Sequence, residues 1–124
     1  MFNFKKNKNI EFNEITYESF LITLTKLVNI LSKAELNAQV QVIVSLIDLL
    51  KQRKNEKFVN ILNSIDMWGG SGAVWEVHIE DNQNAKKFEM EMINLIDLME
   101  KSNVLGRGIK PIRKLFKENL EVKE

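Results

Sequence analysis

The sequence predicts a mainly α domain of four to five helices, with a central Gly-rich turn and one short extended, strand-like segment. Three observations carry this. Four stretches repeat apolar residues at i, i+3, i+4 and i+7, the period of a helix with one buried face. One stretch, residues 73–80, alternates with period two, the pattern of a half-buried strand. The chain has 124 residues, the size of one domain, and a chain of that length buries roughly two thirds of its unfolded surface. One domain over 1–124 is therefore expected, with 1–12 and 121–124 loosely ordered at its ends.

The first helix is read over residues 14–31, with Tyr17, Phe20, Leu21, Leu24, Leu27, Val28 and Leu31 on one face. Ser32-Lys33-Ala34-Glu35 has the capping-box pattern, so a second helix is expected to start there and to run to about Arg53. It carries Leu36, Val40, Ile43, Ile47 and Leu50 on one stripe and Val42, Leu46 and Leu49 off it. A helix apolar on more than one face is expected at the centre of a bundle. Asn55 can cap a third, short helix with Phe58, Ile61, Leu62 and Ile65, ending near Asp66 before Gly69, Gly70 and Gly72.

Residues 73–80 then place Ala73, Trp75, Val77 and Ile79 against Glu76, His78 and Glu80. A lone strand leaves backbone groups unpaired. Three solutions are open: helices cover it, it pairs with the segment around Phe2-Phe4, or it pairs with another copy. Asp81-Asn82-Gln83-Asn84 reads as a loop and cap. A fourth helix follows over about 85–102, with Phe88, Met92, Leu95, Ile96 and Met99 inward. Gly106 and Gly108 end it, and Pro111 suits the first turn of a last helix with Ile112, Leu115 and Phe116 on its apolar face.

Composition narrows the chemistry. Cysteine is absent, which excludes disulfides and thiolate catalysis. The opening residues lack the apolar core of a secretion signal, and no apolar run approaches the roughly 18 residues of a membrane span. A cytoplasmic chain with no membrane role is expected. Net charge is only +1, so no global field marks a nucleic-acid binder. Local charge is uneven. Residues 76–100 hold seven acids and two bases, whereas 101–117 hold six bases and no acid. Such segments face each other or water, or one of them meets a partner of opposite sign.

His78 is the only histidine. On a strand, Glu76, His78 and Glu80 would share a face, a spacing able to hold a divalent ion. One histidine and no cysteine fall short of the usual ligand set, so an exposed polar face is expected, with no metal and no cofactor. No Ser-His-acid set or nucleophile elbow stands out. Gly69-Gly70-Ser71-Gly72 follows a helix and has no lysine, unlike a phosphate loop. Lys110, Arg113, Lys114 and Lys117 share one face of the last helix, but no helix-turn-helix spacing accompanies them.

The unusual stretch is Asp66-Met67-Trp68-Gly69-Gly70-Ser71-Gly72-Ala73-Val74-Trp75-Glu76-Val77, with both tryptophans around the glycines. It resembles a group of small bacterial helical domains of unknown function, in which a helical hairpin precedes a Gly-Gly-small-Gly turn and a short apolar-acidic segment. Small Cys-free chains rich in Lys, Asn and Ile also resemble immunity proteins, encoded beside secreted toxins that they neutralise. That resemblance implies a tight protein partner, such as a secreted toxin, and no catalysis; it assigns no residue a role.

The residues themselves point to one surface. Three glycines in four positions exceed what a plain turn needs, and a strand edge invites pairing. Trp68 on such a loop would be a binding hot spot. The expected partner-binding residues are Trp68, Gly69, Gly70, Ser71, Gly72, Glu76, His78, Glu80 and Asp81. The expected function is a non-enzymatic protein-binding protein, an immunity- or antitoxin-like inhibitor, as monomer or homodimer. The alternatives are a nucleic-acid-associated regulator using the basic last helix and a small adaptor subunit.

Overall fold

The computed structural model describes residues 10–123. It is mainly helical, and no strand occurs among the described residues. Helix α1 spans Glu14–Lys33, α2 Asn37–Lys51, α3 Asn55–Leu62, α5 Asn82–Lys101 and α6 Lys110–Lys123; α4, Ile65–Trp68, is a single turn. Asn13 starts α1, its side-chain oxygen accepting the Thr16 N–H at 2.8 Å. This satisfies one of the donors that a helix start leaves open.

The helix ends differ from expectation in a consistent way. Ser32 caps nothing; it lies inside α1. The chain instead turns through Glu35 at φ 59°. The Leu36 N–H donates to Leu31 O at 3.0 Å and the Glu35 N–H to Ser32 O at 3.0 Å. This is the Schellman arrangement, which returns two orphan carbonyls to hydrogen bonds. The same device ends α2 through Arg53 (φ 58°) and α5 through Asn103 (φ 59°). Asn55 likewise does not cap α3. It is the first residue of that helix, and its side-chain amide donates to Ile10 O at 3.0 Å.

Helix α1 packs along both α2 and α5, α5 also carries α6, and α2 carries α3. The central position expected of α2 thus belongs to α1 and α5. Helix α2 buries Ile43, Leu46 and Leu50 fully and Val40, Val42, Ile47 and Leu49 partly. The inward set expected for α5 is buried throughout. Two residues expected on apolar faces, Ile65 and Leu115, face outward instead, and Ile15, Ile22 and Met90 are exposed as well.

Phe12 lies 5.3 Å from Phe20 and 5.9 Å from Phe58, ring centre to ring centre, and those two are 5.4 Å apart. Mutually tilted aromatic rings at such spacings add to plain burial. Helix α6 runs on to Lys123. The proposed pairing around Phe2-Phe4 falls on residues outside the described range.

One buried polar side chain ties the ends of the bundle together. Asn63, 2 % exposed, follows α3. Its Nδ2 donates to Val59 O and to Val104 O, both at 3.0 Å, and its Oδ1 accepts the Gly106 N–H at 2.7 Å. Both amide protons and the carbonyl are used. Removing the side chain would strand the Val104 carbonyl and the Gly106 N–H in the loop after α5, each at a cost of about 1–3 kcal/mol. Asn63→Ala is expected to lower stability by roughly 2–4 kcal/mol, whereas Asn29→Ala on the exposed face of α1 stays within about 0.5 kcal/mol; paired chemical-denaturation curves check this. Glu35→Gly is expected to act in the opposite direction and raise stability by about 0.5–1 kcal/mol, because it relieves a left-handed backbone held by a side-chain-bearing residue. The same curves, with an unchanged slope, measure it.

Candidate functional site

The Gly-rich turn is built by backbone needs. The Gly69 N–H closes α4 onto Ile65 O at 2.8 Å. A Cβ at Gly69 would sit 2.6 Å from that same carbonyl oxygen, so no larger residue fits. The Ala73 N–H then donates to Gly70 O at 3.0 Å, closing a turn whose third residue, Gly72, has φ +90°. A left-handed third position is the requirement of a type II turn, and glycine meets it without strain. Gly72 O accepts from Gln39 Nε2 at 2.9 Å, which ties the turn to α2. A Cβ at Gly70 meets nothing. Two of the three glycines therefore have structural reasons.

Trp68 does not stand out from this turn. It is 2 % exposed, and its indole N–H donates to Leu62 O at 2.7 Å. A large amphipathic ring that reaches an orphan carbonyl at the end of α3 is held in the core. Trp75 takes the outward position instead. It is half-buried, its indole N–H donates to Gly69 O at 2.7 Å, and it meets Phe116 edge-on at 6.5 Å.

Residues 73–80 form no strand. Ala73 and Val74 are both buried, which breaks the alternation. Val74–Glu76 is a 3₁₀ turn, with the Glu76 N–H donating to Ala73 O at 3.2 Å and the Val77 N–H to Val74 O at 3.4 Å. The backbone thus bonds to itself in the absence of a partner strand. From Val77 the chain is extended (φ −62°, ψ 146°). Alternation holds there: Val77 is half-buried, His78 exposed, Ile79 buried and Glu80 exposed. Asp81 is occupied locally, its Oδ2 accepting the Asn84 N–H at 2.9 Å as the cap of α5.

This extended segment, the first half of α5 and the last half of α6 enclose a cleft of about 320 Å³. Trp75, Phe88 and Phe116 supply aromatic walls, His78 and Glu80 stand at the extended segment, and Glu89 and Asn119 come from the two helices. Glu89 is only 5 % exposed. Of the residues expected at the site, the cleft gathers His78 and Glu80; Glu76 is exposed on the neighbouring turn, while Trp68, the glycines, Ser71 and Asp81 are not among its walls. Among the described residues, no three His, Asp or Glu side chains converge as a metal ion would need, so Glu76, His78 and Glu80 do not form the shared ligand face that a strand would have given them.

Glu89, Phe88, Phe116 and Asn119 were absent from the sequence-derived site. Glu89 left a readable signal. It falls on the apolar stripe of α5 formed by Ala85, Phe88, Met92 and Ile96, and a carboxylate at a core position seldom stands there without a polar purpose.

Comparison of the chain with known protein families, with curated proteins and with solved structures finds no match in any of the three. The glycines give the direct test of the turn. Gly69→Ala is expected to destabilise by about 1–3 kcal/mol through the clash with Ile65 O. Gly70→Ala is expected to be neutral or mildly stabilising. Thermal melts of the two variants should differ by several degrees in that order.

Proposed function

We propose that the chain is a non-enzymatic protein-binding protein, an immunity- or antitoxin-like inhibitor that acts by covering a surface its partner needs. The observation that carries the binding reading is Trp75, half-exposed on the wall of the 320 Å³ cleft and fixed there by a hydrogen bond to Gly69. A rigid indole beside polar groups is the kind of anchor on which binding energy concentrates. The exposed acids Glu76 and Glu80 beside it suit a partner of opposite charge. The inhibitor reading rests on the resemblance of small Cys-free chains rich in Lys, Asn and Ile to immunity proteins.

The alternative use of α6 for nucleic acid is weakened by its ion pairs. Lys110 Nζ lies 2.9 Å from Glu100, and Arg113 Nε donates to Asp97 at 2.6 Å. Half of the four-residue basic face is thereby neutralised within the fold. The hydrogen bond that Arg113 donates to Asp97, opposed by desolvation and aided by the charges of Asp97 and Glu100, raises Arg113 above its ordinary pKa.

Charge reversal separates binding from folding. Both acids are exposed, so Glu76→Lys with Glu80→Lys is expected to keep the melting temperature within a few degrees. The protein that co-purifies in stoichiometric amount from native cells should bind this double variant at least about tenfold more weakly, about 1.4 kcal/mol. Titration calorimetry measures it, and equal affinity would remove this surface as the site.

A further inference from the structure

We propose that the outer face of α2 binds the same face of a second copy of the chain, with the two helices antiparallel about Gln41. This is independent of the cleft and of the protein-binding reading above. Residues 36–47 form the longest run in the chain without a charged side chain, although charged residues make up 28% of the sequence. An exposed helix face is ordinarily filled with charged, strong helix formers. Helix α1 follows this with Glu18 and Lys26 at exposed positions, and α5 with Lys87 and Glu100. On α2 the exposed positions of the run are Asn37, Ala38 and Gln41. Val44, half-buried on the next turn, lies outside the side chains packed against the core. Apolarity on more than one face suits a helix covered from two sides, yet α2 lies at the edge of the bundle, with α1 and α3 as its main helix neighbours. Depletion of charge is the compositional mark of the centre of an interface.

Charge selects the occupant. The uncharged run is bounded by Lys33 and Glu35 at one end and by Asp48 and Lys51 at the other. All four are exposed, and none enters an ion pair among the described residues. Each end thus offers one charge of either sign. A two-fold axis at Gln41 lays the first end of one copy on the second end of the other, where Lys33 meets Asp48 and Glu35 meets Lys51. A parallel pair would set every charge against its own counterpart, which is repulsive. The antiparallel order also places the helix dipoles head to tail. The face is therefore complementary to itself, with an uncharged centre and a charged rim. It covers about 18 Å of helix at a rise of 1.5 Å per residue. That length belongs with the small, transient interfaces, so dimerisation is expected in the micromolar range.

The test is sedimentation equilibrium of the full chain over about 1–500 μM, a range that spans weak association. The mean mass is expected to rise from 14.5 kDa toward twice that value. Gln41→Glu, at an exposed position, brings two carboxylates together at the axis. It is expected to weaken the dimer at least about tenfold, with the melting temperature of the monomer unchanged. Asp48→Lys is expected to weaken the dimer at least about threefold, and Lys33→Glu added to Asp48→Lys to restore it. A mean mass of one chain throughout overturns the proposal. So does a dimer indifferent to Gln41→Glu, which forms elsewhere on the surface, and so does a charge swap without restoration. If the parent stays monomeric and the protein that co-purifies from native cells binds Gln41→Glu more weakly than the parent, the face belongs to a foreign partner and the second copy is ruled out.

Discussion

The arrangement depends on Asn63. A helix end leaves four carbonyls without partners, and α3 ends inside the protein. Asn63 answers this by bonding back to Val59 O through its backbone at 3.1 Å and through its side chain at 3.0 Å. The remaining amide proton and the carbonyl reach the loop between α5 and α6, at Val104 and Gly106. A single side chain thus fixes where α3 stops and where α6 begins. A hydrophobic residue of equal size could fill the space but could not hold the loop in register, since each of these backbone groups would lose its only side-chain partner there. Buried amides of this kind are costly unless complete, and this one is complete.

The consequence runs outward to the cleft. The break at Asn63 lets α4 turn and brings Trp68 back over α3 to bond Leu62 O. Seven residues later Trp75 repeats the manoeuvre on Gly69 O. Each indole closes a loop of the same length onto a carbonyl that the preceding helix has released. The first ring finishes inside the core and the second at its margin, edge-on to Phe116 of α6. The cleft wall is therefore a by-product of satisfying backbone acceptors, which makes it rigid. A preorganised indole loses little freedom on binding.

Most of the helices were legible because their burial is periodic: the positions in α5 read as inward are inward, and α1 begins at Glu14 as its stripe indicates. The ends were less legible. Glycine is the usual signal for a left-handed helix stop, yet three stops here use Glu35, Arg53 and Asn103. At Arg53 the reason is visible: its guanidinium sits 3.7 Å from the centre of the Tyr17 ring and 3.2 Å from Glu14, contacts a glycine would forfeit. The strand-like segment misled because period two over eight residues does not distinguish a strand from a 3₁₀ turn followed by extended chain. What decides is a partner strand, which is a tertiary fact. For the same reason Trp68 and Trp75 looked equivalent in sequence and are not, and the α5 and α6 walls of the cleft lay too far along the chain to be connected with it.

The charge asymmetry of the sequence acquires a specific meaning once α6 is docked. The bases of 101–117 and the acids of 76–100 do meet, as Arg113 with Asp97 and Lys110 with Glu100. Exposed pairs of this sort contribute little stability, typically under about 1 kcal/mol each. Ile112 and Phe116, both buried, hold the helix in place. The pairs matter more for what they subtract. They neutralise the acids in the second half of α5 and leave the acidic character concentrated at the other end, around Glu76 and Glu80. Of a segment that is acidic over 25 residues in sequence, Glu76 and Glu80 thus stay outside the ion pairs of the described residues, with Glu80 at the aromatic-walled opening. Fields of exposed charges act within a Debye length of about 8 Å at physiological salt, so the reach of these two carboxylates is confined to their immediate surroundings.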